Sequence, residues 1–272
     1  RRELRRQLLF SVGDLRLCRA TANGSDVTFI DAINLVGENN AYIDRIAYFS
    51  EGTASNLGLS RHVTGSDKAQ RAIGFGIPLP AATQVGDVVE LVNTRGTGVR
   101  IEDAHRAIND ALLAARGEVT IPQTYTPADS FVQSDGTIAI PDDWTYFTGV
   151  QWQDDNGAWK PIRSAPRLAG DGWSFDPTTR TVQIGGRWGW RLDGRTVRLF
   201  GYGDPTLLEH DDDLTPVNPE WLILEAKAQL LHAQYMAHPT PERERSFAFA
   251  RQLADGRRPM LSTRLAPNTV RI

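Results

Sequence analysis

A single cysteine, Cys18, leaves this chain unable to form an internal disulfide, so packing and polar contacts must hold it, as suits a protein folded in a reducing cytoplasm. Long apolar runs are also missing. No stretch approaches the roughly 20 apolar residues of a membrane-spanning helix, and no secretory signal is evident. Positive charge has no surplus: 30 Lys and Arg face 33 Asp and Glu, a formal charge of -3, which excludes general DNA binding through counterion release. Disorder is excluded by composition, since 40% of the 272 residues are hydrophobic and only 23% charged, enough for one large domain or two or three modest ones. The sequence opens on Arg1 and not on methionine, so further N-terminal residues are expected.

Catalytic signatures are equally scarce. GLSRH at 58–62 brings Ser60 near His62, but it is not a GxSxG elbow and reads as a strand end. There is no HExxH, and His232 and His238 straddle a helix end without sharing a face. EHDDDL at 209–214 lacks the alternating oxygen ligands and glycine of a calcium loop; it reads as a solvated linker before a helix N-terminus, where acids favour the dipole. The pairs GFG, GTG and GYG lack the strand-to-helix context of a phosphate loop and read as turns. No catalytic residue, cofactor or metal ligand is expected, and Cys18 reads as a small core residue.

What is present is periodicity. RRELRRQLLFSV has the helical period, with Leu4, Leu8 and Val12 on one stripe and arginines opposite. VTFIDAINL, DRIAYFSEG, LGLSRHVTG, RAIGFGI and GDVVELVN are short, β-branched and punctuated by turn residues, which predicts a small antiparallel sheet or barrel. Helical period returns in RIEDAHRAINDALLAARG, ended by Gly117. A second β region follows, with turn signals at 154–157 (DDNG) and 193–194 (DG). It holds six of the seven tryptophans, Trp144, Trp152, Trp159, Trp173, Trp188 and Trp190. Indoles at this density either fill a small core or line a sugar-binding face, and Trp152, Trp159, Trp173, Trp188 and Trp190 are the candidates for either role. Asn218 and Thr240 then cap two prolines at N1, which predicts an antiparallel helical hairpin. Its first helix is apolar around much of its circumference, and Trp221, Leu222, Leu224, Leu231 and Tyr235 are the candidates for subunit packing.

Two arrangements are open: separate domains strung in sequence, or one helical bundle with two β insertions. The isolated helices near Leu8 and Ile108 need partners, so the expected fold is α+β: a helical bundle carrying two antiparallel β insertions and an extended C-terminal arm. The segments are an N-terminal helix at 1–17, a first β insertion at 25–95, a middle helix at 100–117, a Trp-rich insertion at 131–204, the hairpin at 218–256 and the arm at 257–272.

The arm, RRPMLSTRLAPNTVRI, carries no acid and can reach roughly 50 Å when extended. Arg257, Arg258, Arg264 and Arg271 make it basic, while Met260, Leu261, Leu265, Val270 and Ile272 space apolar groups along it. Such a segment gains order either by docking in a partner's groove or by packing along its own domain as a final strand or strap, and its reach and charge favour the partner. In this order of elements the runs RRELRRQLLFSVGDL, TANGSDVTFIDAINL, DRIAYFSEGTASNLGLSRHVTGSD and GDVVELVNTRG, with HRAINDALLAA, the late hairpin and the basic tail, resemble the head-to-tail adaptor (connector) family of tailed bacteriophages.

The resemblance implies a structural, non-enzymatic virion protein of the neck. It implies identical subunits in a ring, usually twelvefold (a dodecamer), whose C-terminal arms dock on the portal protein. The ring would extend the DNA channel without sequence-specific binding, receive a tail or neck completion protein below, and have no membrane contact. Glu242, Glu244 and Asp255 are candidates to face the channel. The alternative from another class is a carbohydrate- or receptor-binding virion module built on the Trp-rich region.

Overall fold

The computed structural model describes residues 1–12, 15–93, 98–116, 118–127, 137–164, 172–185, 188, 192, 194–258 and 270–271. It divides into two compact units, one of residues 1–114 and 207–260, the other of 115–206 and 261–272.

The first unit begins with α1 (Arg2–Ser11) and continues into β1 (Leu15–Arg19), β2 (Thr28–Ile30), β3 (Arg45–Glu51), β4 (Ser60–Asp67), β5 (Ala72–Phe75) and β6 (Val88–Asn93). These six strands form one sheet in the order β1-β6-β3-β4-β5-β2. Every pairing is antiparallel. The sheet's two outer strands approach each other where Ala22 bridges Ile30 and the Thr21 N–H donates to the Ile30 carbonyl at 3.0 Å, giving a half-barrel. Its core is made by side chains from all six strands and their loops, among them Cys18, Phe29, Phe49, Val63, Ile73 and Leu91. Burial pushes the Cys18 thiol up to about 12, so it packs as a small apolar group.

The same unit contains α2 (Ile101–Ala115), α3 (Pro219–Ala237) and α4 (Pro241–Arg257). The expected caps are in place: Asn218 Oδ1 accepts from the Trp221 N–H at 3.1 Å and Thr240 Oγ1 from the Arg243 N–H at 3.3 Å. Three residues separate the two helices, which therefore pack antiparallel. Ala250 and Ala254, one turn apart, are the buried residues of α4; such a narrow face lets its backbone approach α3 closely. Arg251 Nη1 clamps the pair to Glu225 Oε1 at 2.7 Å.

The second unit contains β7 (Ile121–Tyr125), β8 (Thr137–Ala139), β9 (Trp144–Gln153), β10 (Trp159–Ile162), β11 (Gly172–Asp176), β12 (Thr181–Gly185), β13 (Val197–Gly203) and the two-residue β14 (Val270–Arg271). One sheet runs β10-β9-β13-β7 with β14 also on β9, and the other runs β11-β12-β8. The two sheets share one core, in which Trp144, Phe147, Val150 and Leu199 meet Ile138, Trp173, Val182 and Ile184. Trp144, Phe147 and Val150 are three apart, a spacing that regular alternation would split between faces; the two register shifts of β9 against β13, at Phe200/Gly201 and Tyr202/Gly203, bring them to one face. Close packing shows at Gly201 of β13, where an added Cβ would run into the Trp144 ring. The DDNG turn forms as expected: Asp154 Oδ1 accepts from the Asn156 and Ala158 N–H groups at 3.0 and 2.9 Å, and Gly157 takes φ 79.

This architecture overturns the expected helical bundle with two β insertions. Over its described residues the protein is mostly β, in three antiparallel sheets with four α-helices. The reason is that each β region buries its own core, so neither depends on a bundle to cover it. Two strands escaped the sequence reading. β1 lies where the N-terminal helix was extended to residue 17, and β7 precedes the expected start of the Trp-rich region.

Candidate functional site

The most densely charged place in the first unit starts from α1. Its buried residues are Arg5, Leu8 and Leu9, so an arginine sits where the periodicity placed the solvent side. The cause is Glu90 on β6, which is fully buried like Arg5 itself. Arg5 Nε and Nη2 donate to the two Glu90 carboxylate oxygens, each at 2.8 Å, the fork-to-carboxylate geometry that only arginine provides. Arg5 Nη1 donates to Asp211 Oδ1 at 2.6 Å and to His105 Nε2 at 2.8 Å. Arginine has no acceptor, so His105 accepts through Nε2 and its proton is on Nδ1. The guanidinium also lies 4.5 Å from the Tyr48 ring centroid, and the Tyr48 hydroxyl donates to Asp211 Oδ2 at 3.3 Å. Arg6 adds Nε to Glu90 at 3.0 Å and Nη2 to Glu51 at 2.7 Å.

These contacts perturb the titrating members. Burial, reinforced by the Arg5 charge, lowers the His105 imidazole to about 4. Burial alone would raise Asp211, but the Arg5 hydrogen bond and charge outweigh it and hold the carboxyl at about 2. EHDDDL is thus not simply a solvated linker. Asp211 ties it to α1, α2 and β3, and Asp213 Oδ2 accepts from the Glu209 and His210 N–H groups, both at 2.6 Å. The sequence carried one hint, an arginine-rich helix that needed buried acids, but Glu90 and Asp211 are separated from Arg5 by 85 and 206 positions. The arrangement joins five segments: α1, β3, β6, α2 and the 209–214 loop. Among the described residues no group of three His, Cys, Asp or Glu could hold a metal ion, and no helix is long and apolar enough to cross a membrane.

The expected subunit-packing residues separate into two classes. Trp221 and Leu222 are enclosed within the chain (2% and 0% exposed), while Leu224, Leu231 and Tyr235 are half-buried. The wide apolar face of α3 is therefore used internally, between α1 and α4. The exposed apolar surface lies instead on α4, where Phe249 and Leu253, one turn apart, are 64% and 42% exposed; Met236 of α3 is 65% exposed. A groove of about 460 Å³ runs between α2 and the hairpin, lined by Val99, Ala107, Leu230 and Ala233 and by the charged Asp103, Asp110 and Arg243. Of the candidate channel acids, Glu242 and Glu244 are exposed, and Asp255 pairs with Arg251 Nη2 at 2.8 Å.

The described tryptophans of the second unit are covered by neighbours. Trp144 and Trp173 are core residues, and the Trp173 indole N–H donates to the Ile162 carbonyl at 3.0 Å. Trp152 and Trp188 pack against that core with centroids 6.1 Å apart. The Arg198 guanidinium covers Trp159 at 4.0 Å. Trp190 lies outside the described residues, as do Met260, Leu261, Arg264, Leu265 and Ile272 of the arm. Arg257 still belongs to α4, and Arg258 follows it, exposed. Val270 and Arg271 form β14, antiparallel to β9 with Val270 opposite Phe147 and Arg271 opposite Tyr146. No protein family and no curated protein was found to match this sequence.

Proposed function

We propose that this chain is a structural subunit of a tailed-phage neck: a head-to-tail adaptor that assembles into a ring, probes no DNA sequence, and docks on the portal through the segment after α4. The observation that carries this reading is the exposed Phe249–Leu253 stripe on the helix that leads directly into the basic arm. Two large apolar side chains one turn apart on a polar helix are a contact surface awaiting a partner, and a ring needs such a surface on every subunit. The −3 charge suits a channel that lets DNA pass.

Two measurements test it. Replacing both Phe249 and Leu253 with aspartate should reduce the assembly to single-chain mass in light scattering. The unfolding free energy should stay within about 0.5 kcal/mol, as for surface changes generally; a ring of unchanged mass would refute the assignment of this stripe. A chain ending at Arg258 should fold yet fail to co-sediment with portal rings. Undiminished co-sedimentation would remove the docking role of 259–272.

A further inference from the structure

We infer that the β9 edge at Tyr146 and Phe147 is a strand-accepting site whose occupant in the assembled protein is Val270–Arg271 of a second copy of this chain. The inference rests on the ring reading above. β9 is paired along one edge by β13, from Trp144 to Trp152. Its other edge carries β10 only from Val150 to Gln153, and β14 covers the residues before them. Phe147 is fully buried in the sandwich core. Without a strand at this place, the backbone donors and acceptors beside that core would form an open edge, which natural sheets cover. The site therefore requires an extended segment, and the pairing with β14 shows that the C-terminus of this sequence fits it in a defined register.

β14 has two residues and two paired positions. At about 0.5–1.5 kcal/mol for each hydrogen bond, so short a strand is held mainly by the local concentration its tether creates. That tether is long. Thirteen steps separate Arg257 at the end of α4 from Val270, a reach of about 45 Å when extended, against a radius of gyration of about 13 Å for a 100-residue domain. A chain held beside its neighbour in a ring presents the same strand to the neighbour's β9. The contacts made in trans are those made within one chain, so exchange loses no pairing and links successive subunits. Residues 259–269 are left to make the portal contact proposed above.

Exchange is read by a disulfide between chains. Residues directly opposite in antiparallel strands bring their Cβ atoms to about 4.5–5.5 Å, close enough for a bond after small adjustment. Chains carrying Tyr146→Cys and chains carrying Arg271→Cys, distinguishable by mass, are mixed, assembled and oxidised. Cys18 is 1% exposed and does not compete. The expected result is a band at the summed mass of the two different chains, lost on reduction. If the native chain assembles but the mixture yields single-chain bands, and a doubly substituted chain closes only on itself, exchange is overturned while the ring reading stands. A native chain that keeps single-chain mass at every concentration overturns both.

Discussion

Replacing Arg5 with methionine is expected to lower the unfolding free energy of the half-barrel unit by about 3–5 kcal/mol, the usual cost of leaving a buried charge without its partner. Glu90 is fully buried and takes both of its short Arg5 hydrogen bonds inside the protein. Arg6 reaches one oxygen of the same carboxylate, but it is shared with Glu51 and Ser50. Methionine fills similar volume without answering the charge, so the loss comes from the stranded carboxylate and from Asp211, and only in small part from packing. The double change Arg5→Met with Glu90→Leu should recover a large share of the stability, because the most deeply buried charge is then gone. Urea denaturation measures both. A loss below about 1 kcal/mol for the single variant would mean that water reaches this network and the pair is not dry.

Acid should weaken the same unit well before carboxylates in general protonate. The unfolded chain binds a proton on His105 near the ordinary 6.5, whereas the folded chain resists it until about 4. Between those values the unfolded state carries more protons, so stability falls as pH falls. The loss is complete below about pH 4 and amounts to about 3 kcal/mol for this group. Asp211 acts in the same direction at lower pH: its carboxylate is held at about 2, so its contribution is present above the ordinary carboxylate value and disappears as pH falls towards 2. His105→Gln keeps an acceptor for Arg5 but has no titrating ring. It should flatten the decline between pH 6.5 and 4 and leave the later one intact. Unfolding midpoints measured across that range decide the matter; an unchanged slope in the variant would show that another group is responsible.

Legibility in the sequence followed the range of the interaction. The caps at Asn218 and Thr240, the DDNG turn and the strands containing Phe49, Ile73 and Leu91 were readable because each is set by residues within a few positions of one another. The wide apolar face of α3 was readable too, but not its use: Trp221 and Leu222 face into their own unit, and the outward stripe is on α4, whose mixture of arginines, glutamates and phenylalanines shows no clean amphipathic period. The indoles were left as core or ligand face, and only the positions of Trp144, Trp152, Trp159, Trp173 and Trp188 show these five covered.

Local chemistry alone determined where this chain turns, where most of its helices begin, and that no disulfide holds it. Tertiary structure decided the rest. The half-barrel and the sandwich are closed by pairings such as β1 with β6 and β9 with β13, and Arg5 is buried because partners 85 and 206 positions away meet it. Pairing energy is earned between segments whose separation along the chain leaves no periodic trace, so hydrophobic period reports that a residue is buried against something and is silent about what.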